Sequence, residues 1–413
     1  MIRKYNLIFL LISSAFFVDV FISNEIAFLI MFLALSLVFL DVPVTRGFLL
    51  LLVPVMIGGV LGLFSYSFAN VIKDIWYFFK PFVYFVVAYI YGVRARDSGS
   101  VETTIYIICL ISLSMFIGKV LFSSSGLADF IILRADDFRD VYGKGSILFV
   151  LGFIYSIKMS GDRHKWFYKL FAAMFVLGLL ISQSRFFNLC IFIYLFCKLI
   201  PWYELHAKII FSSILVMLLL SMPNYDLGGL SSNSRDSLMD KVLFSIDEIQ
   251  PRNFILDVDI HNRWRGYETF KAMDLYLDGR VDQIIFGRGL GAAVDIDFGK
   301  RAGSGSDELL YALEWLHNGY VTIILKTGIV GLLAFIYLIF IWLGMYRKNY
   351  YKFRVEDLVG LSIYIFLIYY FLVSTYLMGG LFSKGGLLIP LFLFGFMSGR
   401  YSKDESAFST SRS

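Results

Sequence analysis

Apolar residues run along this chain in long blocks separated by short polar breaks, and twelve blocks are long enough to form helices that satisfy their own backbone groups in lipid. Their limits are 5–22, 26–40, 47–66, 71–92, 101–122, 145–159, 167–183, 186–201, 207–222, 318–346, 357–377 and 384–399. Two stretches between blocks are long enough to fold, 123–144 and 223–317. In the second, Pro223 and the Gly/Ser run 228–234 lead away from the ninth block, and Trp264, Tyr267 and Phe270 at helical spacing predict a helix. A Gly/Ser cluster from Gly303 to Ser306 then precedes Asp307 and Glu308, which read as a cap and acidic first turn, so a helix is expected before the tenth block. The chain divides into 1–222 with nine helices, a helical loop domain 223–317, 318–400 with three helices, and a basic Ser/Thr-containing tail 401–413 expected to be disordered.

Composition turns this pattern into a class. Of 413 residues, 58% are hydrophobic and 18% aromatic, whereas 17% are charged, against roughly a quarter charged in a soluble domain. That excludes an ordinary soluble enzyme and predicts an all-α, polytopic membrane protein with about twelve transmembrane helices and one large external loop domain. The net charge of +5 is scattered singly between apolar runs, which excludes a nucleic-acid surface. Cys109, Cys190 and Cys197 all fall in apolar runs, and no structural disulfide is expected. Arg3 and Lys4 precede the first block without a small-residue cleavage site, so that block reads as a retained anchor.

Orientation follows from lysine and arginine in the short loops. With the N-terminus inside, eighteen lie on the cytoplasmic side and seven opposite. Both termini are then cytoplasmic, and 123–144 and 223–317 emerge on the external face, where chemistry is to be sought.

Three motifs stand out in this frame. The segment 316–335 reads LHNGYVTIILKTGIVGLLAF, with His317 and Asn318, nine residues, Gly328, two residues and Gly331. The segment 179–189 reads LLISQSRFFNL, with Ser184, Arg185 and Leu189 at an external helix end. A looser third match runs from Arg265, with Arg263 as competitor, to Gly287, Gly289 and Gly291. Together these resemble the signature of bacterial O-antigen polymerases and O-antigen ligases. The resemblance covers about 175–345 by motif and the rest by helix count. Arg134 to Gly145 and Arg280 to Gly291 each fit the Arg, ten residues, Gly pattern of the polymerases; the other motifs fit a ligase equally.

The resemblance implies a periplasmic site on the bacterial inner membrane. There a glycan leaves undecaprenyl pyrophosphate for an acceptor glycan, either a lipid-linked repeat unit or lipid A-core; a chain-length regulator is a further implied partner, and no cofactor or metal is implied. The departing pyrophosphate calls for fixed positive charge, which arginine supplies in planar, bidentate geometry; Arg185 and Arg265 are the candidates. The acceptor hydroxyl calls for a base, and imidazole is suited to it; His317 is that candidate. Glu314, three residues earlier on the expected helix, would orient the ring. Arg263, Lys73, Lys80, Arg280, Arg134 and Asn318 complete the candidate substrate-binding set.

Each candidate has a structural rival. His317 could be a boundary histidine bonded to backbone, Arg185 a snorkelling interfacial arginine, and Arg263, Arg265 and His261 solvated loop charges. Lys73 and Asp74 could pair with each other, while Lys80, about 13 Å inside its block at about 1.5 Å per residue, could pair with a distant carboxylate. The cluster Arg134, Asp136, Asp137, Arg139 and Asp140 reads as a solvated loop, and the glycines of FGRGLG as a turn. A lipid-linked-sugar flippase would share the helix count but not need the external domain, and a scaffold would not need the intramembrane charge.

Overall fold

The computed structural model describes residues 2–38, 46–94, 99–122, 146–160, 165–181, 185–200, 203–220, 248–251, 260, 263–301, 309–353, 357–382 and 387–410. Each of the twelve apolar blocks falls on a helix: α1 (Ile2–Phe21), α2 (Asn24–Val38), α3 (Arg46–Ser65), α4 (Phe68–Arg94), α5 (Gly99–Phe122), α6 (Ser146–Met159), α7 (Lys165–Ile181), α8 (Arg185–Leu199), α9 (Tyr203–Leu220), α12 (Gly319–Phe353), α13 (Leu358–Met378) and α14 (Leu388–Thr410). Between α9 and α12 lie α10 (Trp264–Leu277), α11 (Val281–Phe286), β1 (Val294–Arg301) and β2 (Leu309–Leu313). Among the described residues, four helical segments, Phe68–Arg94, Gly99–Gly118, Gly319–Lys352 and Leu358–Met378, are long and apolar enough to cross a membrane. The protein is a helical, membrane-associated one.

Local chemistry sets several helix ends. The Ser23 hydroxyl oxygen accepts the Glu25 backbone N–H at 3.2 Å, ahead of α2, and that of Ser67 accepts from Asn70 at 3.4 Å, ahead of α4. Asp357 caps α13 by accepting the Gly360 N–H at 2.9 Å. At the other end of α13, Gly379 adopts a left-handed conformation, φ 73°, that a Cβ would disfavour.

Tight packing falls where small residues let backbones approach. α4 lies against α14 through Gly92, Gly395 and Gly399, which face the carbonyls of Phe396, Phe85 and Tyr89; a Cβ on Gly92 or Gly399 would overlap that backbone, and one on Gly395 would stand 2.6 Å from it. α13 is buried along nearly its whole length, as expected of a helix apolar on all sides. His206 of α9 is among the buried polar groups, with Nδ1 3.3 Å from the Tyr369 hydroxyl. Cys109, Cys190 and Cys197 are free and buried.

Three expectations need correction. The helix expected from Asp307 is instead strand β2, which pairs antiparallel with β1 with Val294 opposite Leu313 and Arg301 opposite Leu309. The alternation of buried Val294, exposed Asp295 and buried Ile296 has the two-residue period of a strand, and that signal outweighs the acidic pair. The loop domain is therefore mixed rather than wholly helical. The tail from 401 continues α14 as helix to Thr410 rather than being disordered as expected.

Candidate functional site

The described part of the loop domain is seated on the start of α12. α10 forms where the spacing of Trp264, Tyr267 and Phe270 predicts it, and all three are buried. Ala272, Met273 and Tyr276 of α10 pack with Val294 of β1 and with Leu316, Val321 and Leu325 around the start of α12. The Tyr276 hydroxyl donates to the Ile284 carbonyl at 2.7 Å, tying α10 to α11; burial pushes this phenol above its ordinary range.

The four residues 314–317 each reach a different partner. Glu314 is not on a helix and does not orient His317, contrary to expectation; it pairs with Lys73 of α4. Trp315 packs on Tyr77, with ring centroids 4.6 Å apart, and its face receives the Lys326 ammonium at 5.0 Å. Leu316 is buried against α10. The Nδ1 of His317 meets Glu268 Oε2 of α10 at 2.7 Å, the same oxygen that accepts the His317 backbone N–H at 3.2 Å. The His317 carbonyl accepts the Gly379 N–H at 2.5 Å, which anchors it to the end of α13.

This geometry sets the imidazole chemistry. An ionised carboxylate only accepts hydrogen bonds, so the proton of the neutral ring sits on Nδ1 and the lone pair on Nε2. The His317 side chain is 43% exposed while that of Glu268 is 3% exposed. A proton taken up at Nε2 would create an imidazolium held against a buried negative charge. The arrangement can act as an oriented general base.

Arg265 precedes Glu268 by one helical turn on the same face of α10. It lies 3.8 Å from Glu248 and is 26% exposed; Arg263, at the start of α10, is buried. On α4, Lys73 and Lys80 are two turns apart on one face. Lys80 is buried, its ammonium 5.3 Å from the centre of the Tyr77 ring. A separate apolar cavity opens between α4 and α12, lined by Phe78, Pro81, Phe82, Thr327, Gly331 and Phe335 among others. Lys73 and Asp74 do not pair with each other: Lys73 goes to Glu314 and Asp74 to Lys326.

Two sequence candidates have structural occupations. The Asn318 carboxamide oxygen accepts the N–H groups of Tyr320 and Val321, at 3.2 and 3.3 Å, as the cap of α12. Arg280 is exposed and bonds Asp282 through both Nε and Nη2, at 3.2 and 2.8 Å; that hydrogen bond holds the Asp282 carboxyl below the usual carboxylate range. Arg185 is the first residue of α8, but its side chain, Arg134 and His261 lie outside the described residues.

The glycines of FGRGLG form a turn, as expected, and its position is specific. Gly287, Gly289 and Gly291 have φ of 82°, 99° and 92°, values that favour glycine. The turn meets α12 at Gly328, where φ 68° and ψ −168° break the helix. The Arg288 N–H bonds the Leu325 carbonyl and the Leu290 N–H bonds that of Gly58, both at 2.8 Å. The Gly291 N–H reaches Asp74 at 2.5 Å. Lys326, which also pairs with Asp74, donates to the Ala292 carbonyl at 3.0 Å.

Glu268 and Lys326 are thus the two residues sequence reasoning missed. Glu268 is three residues past Arg265, and Lys326 is the lone charge within the apolar run that follows His317. No family model matches the chain, and no curated protein matches its sequence.

Proposed function

We propose that the protein is a membrane glycosyltransferase of the O-antigen polymerase kind, with about twelve membrane-crossing helices, both termini cytoplasmic and the loop domain periplasmic. It transfers a glycan from undecaprenyl pyrophosphate to a lipid-linked repeat unit. The bond between the glycan's anomeric carbon and the pyrophosphate oxygen breaks, the bond to the acceptor oxygen forms, and the acceptor proton passes to Nε2 of His317. Glu268 holds the ring and offsets its charge. Arg265, with Arg185 and Lys73 as further cations, stabilises the leaving pyrophosphate. Lys80, on the Lys73 face of α4, is a further cation, and the apolar cavity between α4 and α12 would accommodate the first isoprene units of the donor.

The observation that carries this reading is the His317–Glu268 contact: an exposed imidazole oriented by a buried carboxylate, at the external end of α12 in the proposed topology. A histidine serving only to hydrogen-bond backbone would not need it.

A ligase reading, with lipid A-core as acceptor, is favoured by one observation: Arg280, half of the arginine-to-glycine spacing that points to a polymerase, turns to solvent with Asp282. One gel of lipopolysaccharide from a deletion strain separates the two. Core capped by a single repeat supports the polymerase; bare core with accumulated lipid-linked polymer supports the ligase; an unchanged ladder removes both. His317→Ala, expressed at normal level, should reproduce the deletion pattern, and a normal ladder from it would overturn the role of this residue.

A further inference from the structure

We infer that α11 and the glycine turn 287–291 form a re-entrant element, a segment that dips into the outer leaflet of the bilayer and returns, with Val281, Ile285 and Phe286 presented to lipid. The inference rests on the membrane-crossing reading of α3, α4 and α12.

Three helices supply the depth. The turn bonds α3 at Gly58, seven residues before the helix ends at Ser65, about 10 Å at about 1.5 Å per residue. It bonds α4 at Asp74, six residues past Phe68, about 9 Å down. It meets α12 at Leu325 and Gly328, six and nine residues past Gly319, about 9 to 13 Å down. All three helix ends lie on the external side in the proposed orientation; Gly291 packs on Tyr66, just past the end of α3, so the turn runs from the outer helix ends down to about 10 Å.

Irregular backbone is tolerated at membrane depth only where the protein satisfies its polar groups. Several of this turn's polar groups meet that condition. Its N–H groups at 288, 290 and 291 go to Leu325, Gly58 and Asp74, and the Ala292 carbonyl goes to Lys326. The buried Asp74–Lys326 pair thereby has a use: it places a fixed acceptor and a fixed donor where the turn has no strand or helix to bond. Steric fit is equally close. A Cβ on Gly289 would stand 2.7 Å from the Gly62 nitrogen, and one on Gly62 or Gly328 would overlap the backbone of Leu290 or Ile285.

Side chains follow the same gradient. Arg280 and Asp282, the charged start of α11, are 78% and 59% exposed and lie at the end of α11 away from the turn, up to about 9 Å from its far end along the axis; a re-entrant α11 would put them towards the headgroups. Val281, between them, and Ile285 and Phe286 at the far end are exposed to 73%, 40% and 38%, an apolar strip that water disfavours and acyl chains accept. Arg288, inside the turn, reaches back to the Leu275 carbonyl on α10, the direction a snorkelling arginine takes.

The test uses the full chain in phospholipid nanodiscs, with nitroxide labels on Val281→Cys, Ile285→Cys and Phe286→Cys and unsubstituted protein as the control for its three buried cysteines. Leu333→Cys, exposed midway along α12, and Asp295→Cys, exposed on β1, are the lipid and water references. Labels at 285 and 286 should collide severalfold more with oxygen than with an aqueous nickel chelate, as at 333 and opposite to 295. Water-like behaviour at 285 and 286 with a lipid-like 333 would overturn the re-entrant element alone; a water-like 333 would overturn the membrane-crossing reading of α12 beneath it. A lipid-borne carbene probe on unsubstituted protein gives a second measurement: adducts on 281–286 support the element, and their absence alongside adducts on α12 overturns it.

Discussion

Two carboxylate contacts are made from the start of α12 and the residues just before it, and they do opposite things. Glu268 and His317 meet with the imidazole half exposed; Asp74 and Lys326 meet with side-chain exposures of 1% and 0%. The first has one partner open to solvent and one locked, a combination that permits proton exchange. The second is sealed, and both members are also bonded to backbone of the glycine turn. Burial and the extra backbone partners, rather than the residue types, separate an open pair from a sealed, structural one.

Removing one member of the sealed pair should have the largest effect. Lys326→Ala leaves a carboxylate uncompensated in an apolar interior, a loss of about 3–5 kcal/mol. It should abolish folded protein, read as recovery of a monodisperse peak in detergent. Asp74→Asn combined with Lys326→Met should recover part of that yield, because replacing both charges removes the desolvation cost along with the attraction. If Lys326→Ala folds normally, the pair is not structural.

Next comes the exposed pair. His317→Ala should leave the melting temperature unchanged and lower transfer by about 10²–10⁴-fold, the usual worth of a positioned base, in an assay of glycan transfer with purified protein. Glu268→Gln should fall between this and wild type, since a carboxamide oxygen can still accept from Nδ1–H but cannot offset the imidazolium. A Glu268→Gln protein as active as wild type would reduce the carboxylate to packing.

Smaller effects test the edges of the two regions. Gly289→Ala forces a left-handed residue against α3 and should destabilise by about 1–3 kcal/mol, read as a lower melting temperature. Lys73→Gln removes a half-exposed pair with Glu314 and should cost about 0–1 kcal/mol; a larger activity loss than stability loss would mark Lys73 as a substrate contact. Asp282→Asn is the smallest. The lowered carboxyl favours the folded state above the ordinary carboxylate range, an effect lost as the pH falls through its folded value. Because the group is fully solvated, no change in melting temperature is expected at neutral pH.

The helices were legible because each apolar block carries its own signal: hydropathy and length act locally, and a helix satisfies its backbone without help from distant residues. α10 was legible for the same reason, from Trp264, Tyr267 and Phe270. β2 was not, because its pairing with β1 spans residues on either side of a Gly/Ser cluster that reads equally well as a helix cap. The positions of His317 and Asn318 were legible from their spacing to Gly328 and Gly331, and Asn318 and Gly328 now have physical roles as cap and kink.

The partners were another matter. Sequence alone determined where apolar helices form, that 223–317 lies outside those helices, and which side chains carry titratable or fixed charge. Only the tertiary structure decided that Glu268 rather than Glu314 meets His317, that Asp74 belongs to Lys326 rather than to Lys73, and that a glycine turn is wedged among three helices. The reason is that pairing depends on which elements are packed together: Glu268 and His317 are 49 residues apart and Asp74 and Lys326 are 252 apart. No local periodicity encodes a contact made only when separate helices close on one another.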